Sequence, residues 1–223
     1  ESRAREAVAQ RDRFLAMLSH ELRNPLAAVL NASKMIDHVG LDSPTASGWF
    51  RVIERRSRHM ARLLDDLLDI ARITQNKIEI RRELFDLAKL VENAVEEVSP
   101  WFSDHKLELA IDRSELPLNI SGDPARIHQV QVNLLMNAAK YTSPGGHVWY
   151  TMRRDGNEAV ITVKDTGVGM SRDLVERAFE LFVQADETLD RSDGGIGVGL
   201  TLVRSIVELH GGSVHARSEG LGL

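Results

Sequence analysis

LSHELRNPLAAVL, residues 18–30, combines an apolar repeat, a histidine beside a glutamate, and a proline. Leu18, Leu22, Leu26 and Val29 recur at intervals of three and four, and the same spacing reaches back to Phe14 and on to Ile36. That period predicts one long amphipathic helix through residues 1–38. Pro25 has no backbone N–H, so it deletes the bond to the carbonyl of Glu21 and is expected to kink the helix beside the His–Glu pair.

Outward from this helix, VGLDSPTAS (39–47) gathers Gly40, Asp42, Ser43 and Pro44 into a turn. A second helical period follows through Ile53, Met60, Leu64, Leu67, Leu68 and Ala71. Two long helices joined by a short loop make an antiparallel hairpin. One hairpin cannot bury both of its apolar stripes, so pairing of two copies into a four-helix bundle is the expected remedy, with packing onto the rest of the same chain as the alternative.

Beyond residue 78 the pattern changes. KIEIRREL (77–84) and HKLELAID (105–112) alternate like strands, whereas FDLAKLVENAVEEV (85–98) between them has a helical period capped by Asp86. GDPARIHQVQVNLLMNAAKYT (122–142) opens a further helix with Asp123 as cap and Pro124 at the first helical position. GGHVWYTMRRDGNEAVITVKDTG (145–167) reads as a hairpin turning at Asp155, Gly156 and Asn157. LTLVRSIVELHGG (200–212) is a helix, SVHARSE (213–219) a strand, and GLGL (220–223) a turn. The expected class is α+β: a helical hairpin over residues 1–78, then a domain over 79–223 whose sheet carries helices on one face.

The chain has 223 residues, 43% hydrophobic and 27% charged, enough for two domains with cores of their own. It has no cysteine, which excludes disulfides, thiolate metal sites and cysteine nucleophiles. No apolar run approaches the ~20 residues of a membrane span, so a segment soluble as it stands and without membrane contact is expected, one that a longer membrane-bound or multidomain protein could contain. The net charge of −5 divides into +3 before residue 79 and −8 after it. Neither part is basic enough for a nucleic-acid binder, and the contrast suits two domains with different partners.

Five short stretches then occur in order: SHELRNPL (19–26), NLLMNAAKYT (133–142), DTGVGM (165–170), FELFVQ (179–184) and GGIGVGL (194–200). Together they resemble the phosphoacceptor, asparagine, first glycine, phenylalanine and second glycine boxes of sensor histidine kinases, a resemblance that covers the chain from about Arg13 onward. Alone, a His–Glu pair on a helix is a solvated pair, and a strand-ending Asp-Gly is an ordinary turn. Order and spacing raise them above that.

An imidazole is largely neutral and nucleophilic at cellular pH, so His20 suits a phosphoryl acceptor. Glu21 can accept a hydrogen bond from the other ring nitrogen, fix the tautomer and stabilise the charge formed on attack. Asn24 lies one turn from His20 on the same face, where its amide can orient water toward a phosphoryl group; the resemblance links this position to phosphatase action on the partner. Asn133 and Asn137 share a face as well. The resemblance implies that Asn137 holds Mg²⁺ against the phosphates of ATP, with Asn133, Lys140 and Tyr141 beside the nucleotide; one amide oxygen completed by phosphate oxygens and water is a sensible magnesium shell. It further implies that Asp165 accepts from the adenine amino group, with Gly167 and Gly169 letting the backbone approach the base. Gly195, Gly197 and Gly199 precede a helix, so free amides face phosphates. Residues 180–193 are the expected ATP lid; many relatives have an arginine where this chain has Gln184, so Arg191 is the expected phosphate-directed charge. No GxxxxGK[ST] loop occurs.

The resemblance therefore implies a protein-histidine kinase, a homodimer using ATP and Mg²⁺, autophosphorylated on His20 and passing the phosphoryl group to an aspartate of a response-regulator receiver domain. A gyrase-type ATPase and a degenerate ATP-sensing scaffold are the alternatives. The other histidines, at 38, 59, 105, 128, 147, 210 and 215, show no metal-like spacing. Arg51, Arg55, Arg58 and Arg62 line one side of the second helix, a solvated face by default and a steering surface for an acidic receiver otherwise.

Overall fold

A computed structural model describes residues 2–41, 45–75, 78–113, 117–183 and 197–222. The first helix, α1 (Ser2–Val39), runs without interruption through Pro25, which is buried. The second, α2 (Ala46–Thr74), packs along it as the expected hairpin. Their mutual seam holds Ala32, Ile36 and Ala46. The seam leaves rows of leucines outside it: Leu26 is 49% exposed, Leu30 53%, Leu64 49% and Leu68 55%.

The second domain begins with β1 (Glu83–Asp86) and α3 (Leu87–Asp104). Asp86 caps α3 by accepting from Ala88 N at 3.0 Å, and the same oxygen accepts from Leu118 N at 3.2 Å. β2 (Glu108–Arg113), β3 (Asn119–Gly122), α4 (Pro124–Tyr141) and the hairpin β4 (His147–Asp155) and β5 (Glu158–Asp165) follow. A short helix α5 (Arg172–Arg177) and a longer α6 (Gly199–Leu209) complete the elements. β4 is central in a three-stranded sheet, parallel to β2 and antiparallel to β5, while β1 pairs antiparallel with β3 in a separate ribbon. Helices α3 and α4 cover the sheet, burying Leu87, Val91, Val98, Leu135, Val148, Tyr150 and Met152 in one core.

Two sequence expectations need correction. The strand expected at residues 77–84 forms only from Glu83, because its partner β3 is four residues long and pairs Glu83–Asp86 with Gly122–Asn119. Ahead of it, Arg81 N donates to the Asp123 carboxylate at 3.1 Å, a side chain doing what a ladder would have done. The strand expected at 213–219 makes no ladder. Its burial alternates as a strand's does, with Val214, Ala216 and Ser218 turned inward, but the backbone around it bonds to a serine hydroxyl instead. Two further elements, β3 and α5, have no counterpart among the sequence expectations.

A second core joins the two domains. Leu63 and Ile70 of α2, Val130 of α4, and Val198, Leu202, Val203 and Ile206 from the start and body of α6 form one buried cluster, with Leu18 and Leu22 of α1 packed at its margin. Beside it, Asp69 is only 5% exposed and makes a hydrogen-bonded ion pair with Arg126 of α4. Gln129 Nε2 donates to the same carboxylate oxygen at 2.9 Å. Burial among these groups and the neighbouring Asp69 charge push Asp66 up from 3.8 to about 6. The sequence expectation named packing onto the rest of the chain as the alternative but not this polar junction, although LLDDLLDIA (63–71) carries its signal: carboxylates at 66 and 69 inside the buried apolar stripe of 63, 67 and 70.

Candidate active site

His20 and Asn24 are exposed on α1 and Glu21 is half-buried beside them. Their one-turn spacing puts the imidazole and the carboxamide on a common face. α1 itself packs on α2, and it is α2 that meets α6 and, through Asp69, α4. The histidine group therefore stands on the hairpin and the nucleotide-type residues on the second domain, which meet where α2, with Leu18 and Leu22 of α1 at the margin, packs against α4 and α6.

The second cluster is built around α4. Asp123 caps this helix by accepting from Arg126 N at 3.2 Å, and its own N–H donates to His210 Nε2 at 2.9 Å. The other ring nitrogen of His210 faces the Ile206 carbonyl at 2.7 Å, so a neutral ring with its proton on Nδ1 satisfies both bonds and ties the end of α6 to the start of α4. Asn133, Asn137, Lys140 and Tyr141 follow along α4, all half-buried. Lys140 Nζ lies 5.1 Å from the Tyr141 ring centroid.

The loop after β5 is fastened to the end of this helix, with Val168 N donating to the Tyr141 carbonyl at 3.1 Å. Thus Tyr141 serves through its backbone. Within the loop, Asp165 Oδ1 accepts from Gly167 N at 2.8 Å. A Cβ at Gly167 would fall 2.5 Å from that oxygen and 2.6 Å from the Tyr141 carbonyl, so only glycine permits the approach. Gly199, at the start of α6, stands against Asn133, whose Oδ1 would lie 3.7 Å from an added Cβ. Asn133 Nδ2 and Thr201 Oγ1 are both buried and lack a hydrogen-bond partner among the described residues, which marks the start of α6 as a place with polar groups to satisfy.

The structure thus gathers Asn133, Tyr141, Asp165, Gly167 and Gly199 around the C-terminal half of α4. Phe182 N donates to the Gly197 carbonyl at 3.1 Å, which ties the phenylalanine stretch to the approach of α6. Gln184, Arg191, Gly195 and all but the first residues of the expected lid lie outside the described residues.

Residues 10–76 match the family model of the His Kinase A (phospho-acceptor) domain, and residues 122–222 match that of the Histidine kinase-, DNA gyrase B-, and HSP90-like ATPase. The chain belongs to the sensor histidine kinases. It is 35% identical over 98% of its length to the autoinducer 2 sensor kinase/phosphatase LuxQ of Vibrio cholerae, and 32% identical over 96% to the circadian input-output histidine kinase CikA of Synechococcus elongatus. Among solved structures it is similar to full-length ShkA in complex with AMPPNP, at 30% identity and a TM-score of 0.63, with 92% of this chain and 43% of that one covered. The chain spans 26% of the length of LuxQ and 29% of that of CikA. As a sensor histidine kinase core, it joins a phosphoacceptor hairpin to an ATPase-type domain, and the two matched regions fall on the two clusters described above.

No group of three or more His, Asp or Glu side chains that could cage a metal occurs among the described residues, and no helix among them is long and apolar enough to cross a membrane. A divalent ion held mostly by phosphate oxygens and water, with one amide ligand, fits such a site.

Proposed function

We propose that this core binds Mg-ATP in the second domain, phosphorylates His20 of the hairpin, and passes the phosphoryl group to an aspartate of a response-regulator receiver domain. The observation that carries the reading is an exposed imidazole on a hairpin whose other helix is packed on the nucleotide-type domain. Asp165 accepts from the adenine amino group, the amides around Gly195, Gly197 and Gly199 receive the phosphates, Arg191 adds a positive charge, and Lys140 and Tyr141 border the nucleotide. Asn137, assisted by Asn133, holds Mg²⁺ through its amide oxygen; the ion supplies neutralisation of phosphate charge.

One nitrogen of His20 attacks the γ-phosphorus with its lone pair. The bond from that phosphorus to the bridging oxygen breaks and ADP leaves with the electron pair. Glu21 takes the proton of the other ring nitrogen, so no positive imidazolium accumulates. Phosphoryl transfer asks for position and charge neutralisation above all, so the second domain has to bring the γ-phosphorus of ATP within reach of His20. The exposed leucines of α1 and α2 form the contact of a homodimeric four-helix bundle. Asn24 orients water in the reverse, phosphatase direction, a role in keeping with the kinase/phosphatase name of LuxQ. The segment works in the cytoplasm as part of a larger sensor protein.

Incubation with γ-labelled ATP tests this reading. The expected product loses its label in acid and keeps it in alkali, as a phosphoramidate does. A label stable in acid would place the phosphoryl group on a hydroxyl and overturn the assignment.

A further inference from the structure

The base-binding loop is held from a direction that no motif announces. Met170 N donates to Ser218 Oγ at 2.9 Å. The same hydroxyl lies 3.2 Å from the Gly220 carbonyl, to which it donates, and accepts from Gly220 N at 3.3 Å. Two residues on, Gly222 N donates to the Val168 carbonyl at 2.8 Å. The segment 218–222 is thus stitched to both sides of Gly169. That glycine has φ +68, and a Cβ on it would come 1.9 Å from the Gly220 oxygen and 3.3 Å from Ser218 Oγ. No side chain fits between the two segments.

Four hydrogen bonds support the loop. Asp165 Oδ1 holds Gly167 N from within, Tyr141 O holds Val168 N from α4, and, from the chain after α6, Ser218 Oγ holds Met170 N and Gly222 N holds the Val168 carbonyl. The first two are fixed by the glycine box and by a helix end. The third rests on one hydroxyl, which both donates and accepts, a pair of roles that alanine cannot fill and threonine can.

We infer that Ser218 is a positioning residue for the nucleotide base: its hydroxyl fixes the loop 167–170 at the height at which Asp165 meets adenine. This rests on the assignment of Asp165 to the base made above. Loss of the hydroxyl leaves Met170 N without its partner, frees the Gly169–Met170 side of the loop from segment 218–222, and weakens the base end of the site while leaving the phosphate end, at α4 and α6, intact.

Binding of ATP and of inorganic tripolyphosphate by Ser218→Ala, Ser218→Thr and Asp165→Asn proteins, followed by calorimetry, tests it. Ser218→Ala is expected to raise the Kd for ATP about tenfold, to leave that for tripolyphosphate within twofold, and to speed hydrogen exchange at the Met170 amide; Ser218→Thr is expected to restore all three. A general loss of folding would move both ligands together and would not be rescued by threonine, which would overturn a positioning role. ATP affinity unchanged in Ser218→Ala but weakened in Asp165→Asn would overturn the inference alone. Unchanged affinity in both would overturn it together with the assignment of this loop to the base.

Discussion

One oxygen of Asp165 is committed to Gly167 N, and that commitment aims the other. An asparagine there keeps the first bond through its own carbonyl oxygen but presents an NH₂ group where the base also donates. Asp165→Asn is therefore expected to weaken ATP binding by one to two orders of magnitude, the range of a hydrogen bond to a charged acceptor, with the thermal midpoint of the domain little changed. Unaltered affinity in calorimetry would remove Asp165 from the site. Asn24 makes a different expectation at the same scale. It is exposed and shares a face with His20 without being the nucleophile, so Asn24→Ala should autophosphorylate at a near-normal rate yet dephosphorylate a cognate regulator at least several-fold more slowly. Equal loss of both activities would contradict the water-positioning role. Residues of this kind were legible in the sequence because their motifs are contiguous. Ser218 was not, since its partner Met170 is 48 positions away and a lone serine has no pattern.

At the level of elements, the helices were easier to read than the strands for a physical reason. The ends of α3 and α4 are fixed by neighbours in the chain, Asp86 and Asp123 with Pro124, so local sequence carries the information. β3 has four residues and draws its stability from β1 over thirty positions earlier, while α5 is six residues long and buries none of them. Residues 213–219 show that a period of two marks which side chains face inward but does not by itself supply a partner strand. The junction of α2 with α4 carries an expectation about pH. Asp66 is faced by Asp65, Asp69 and Arg62 from its own helix and by Gln129 from α4, and desolvation raises it from 3.8 to about 6. A raised folded value means that its stabilising contribution is complete below 3.8 and is lost as pH rises through about 6. Acidification from pH 7 to 5 should therefore raise the thermal midpoint more in the parent than in Asp66→Asn. A parent and variant with parallel pH profiles would place Asp66 outside the linked groups.

For the whole molecule, the sequence foretold a hairpin with unspent apolar surface, and the structure divides that surface in two. Leu63, Leu67 and Ile70 turn to the ATP-binding domain, while Leu64 and Leu68, one position along, remain half exposed with Leu26 and Leu30. Both remedies named for the hairpin thus have a row of their own: own-chain packing is seen directly, and the outer row is what dimerisation would cover. What sequence did not foretell is the docked arrangement, because it depends on α2 meeting two helices from a domain that begins beyond its end. The central claim concerns where the γ-phosphoryl group goes. The resemblance to gyrase-type ATPases puts their water-activating glutamate at the position of Asn133, and an amide is no general base at neutral pH, so Asn133 cannot activate water here. His20→Gln tests this most directly, by measuring nucleotide affinity, self-labelling and phosphate release on one protein. The account predicts near-parental Mg-ATP affinity with neither labelling nor appreciable hydrolysis; steady phosphate release at the parental rate would contradict it.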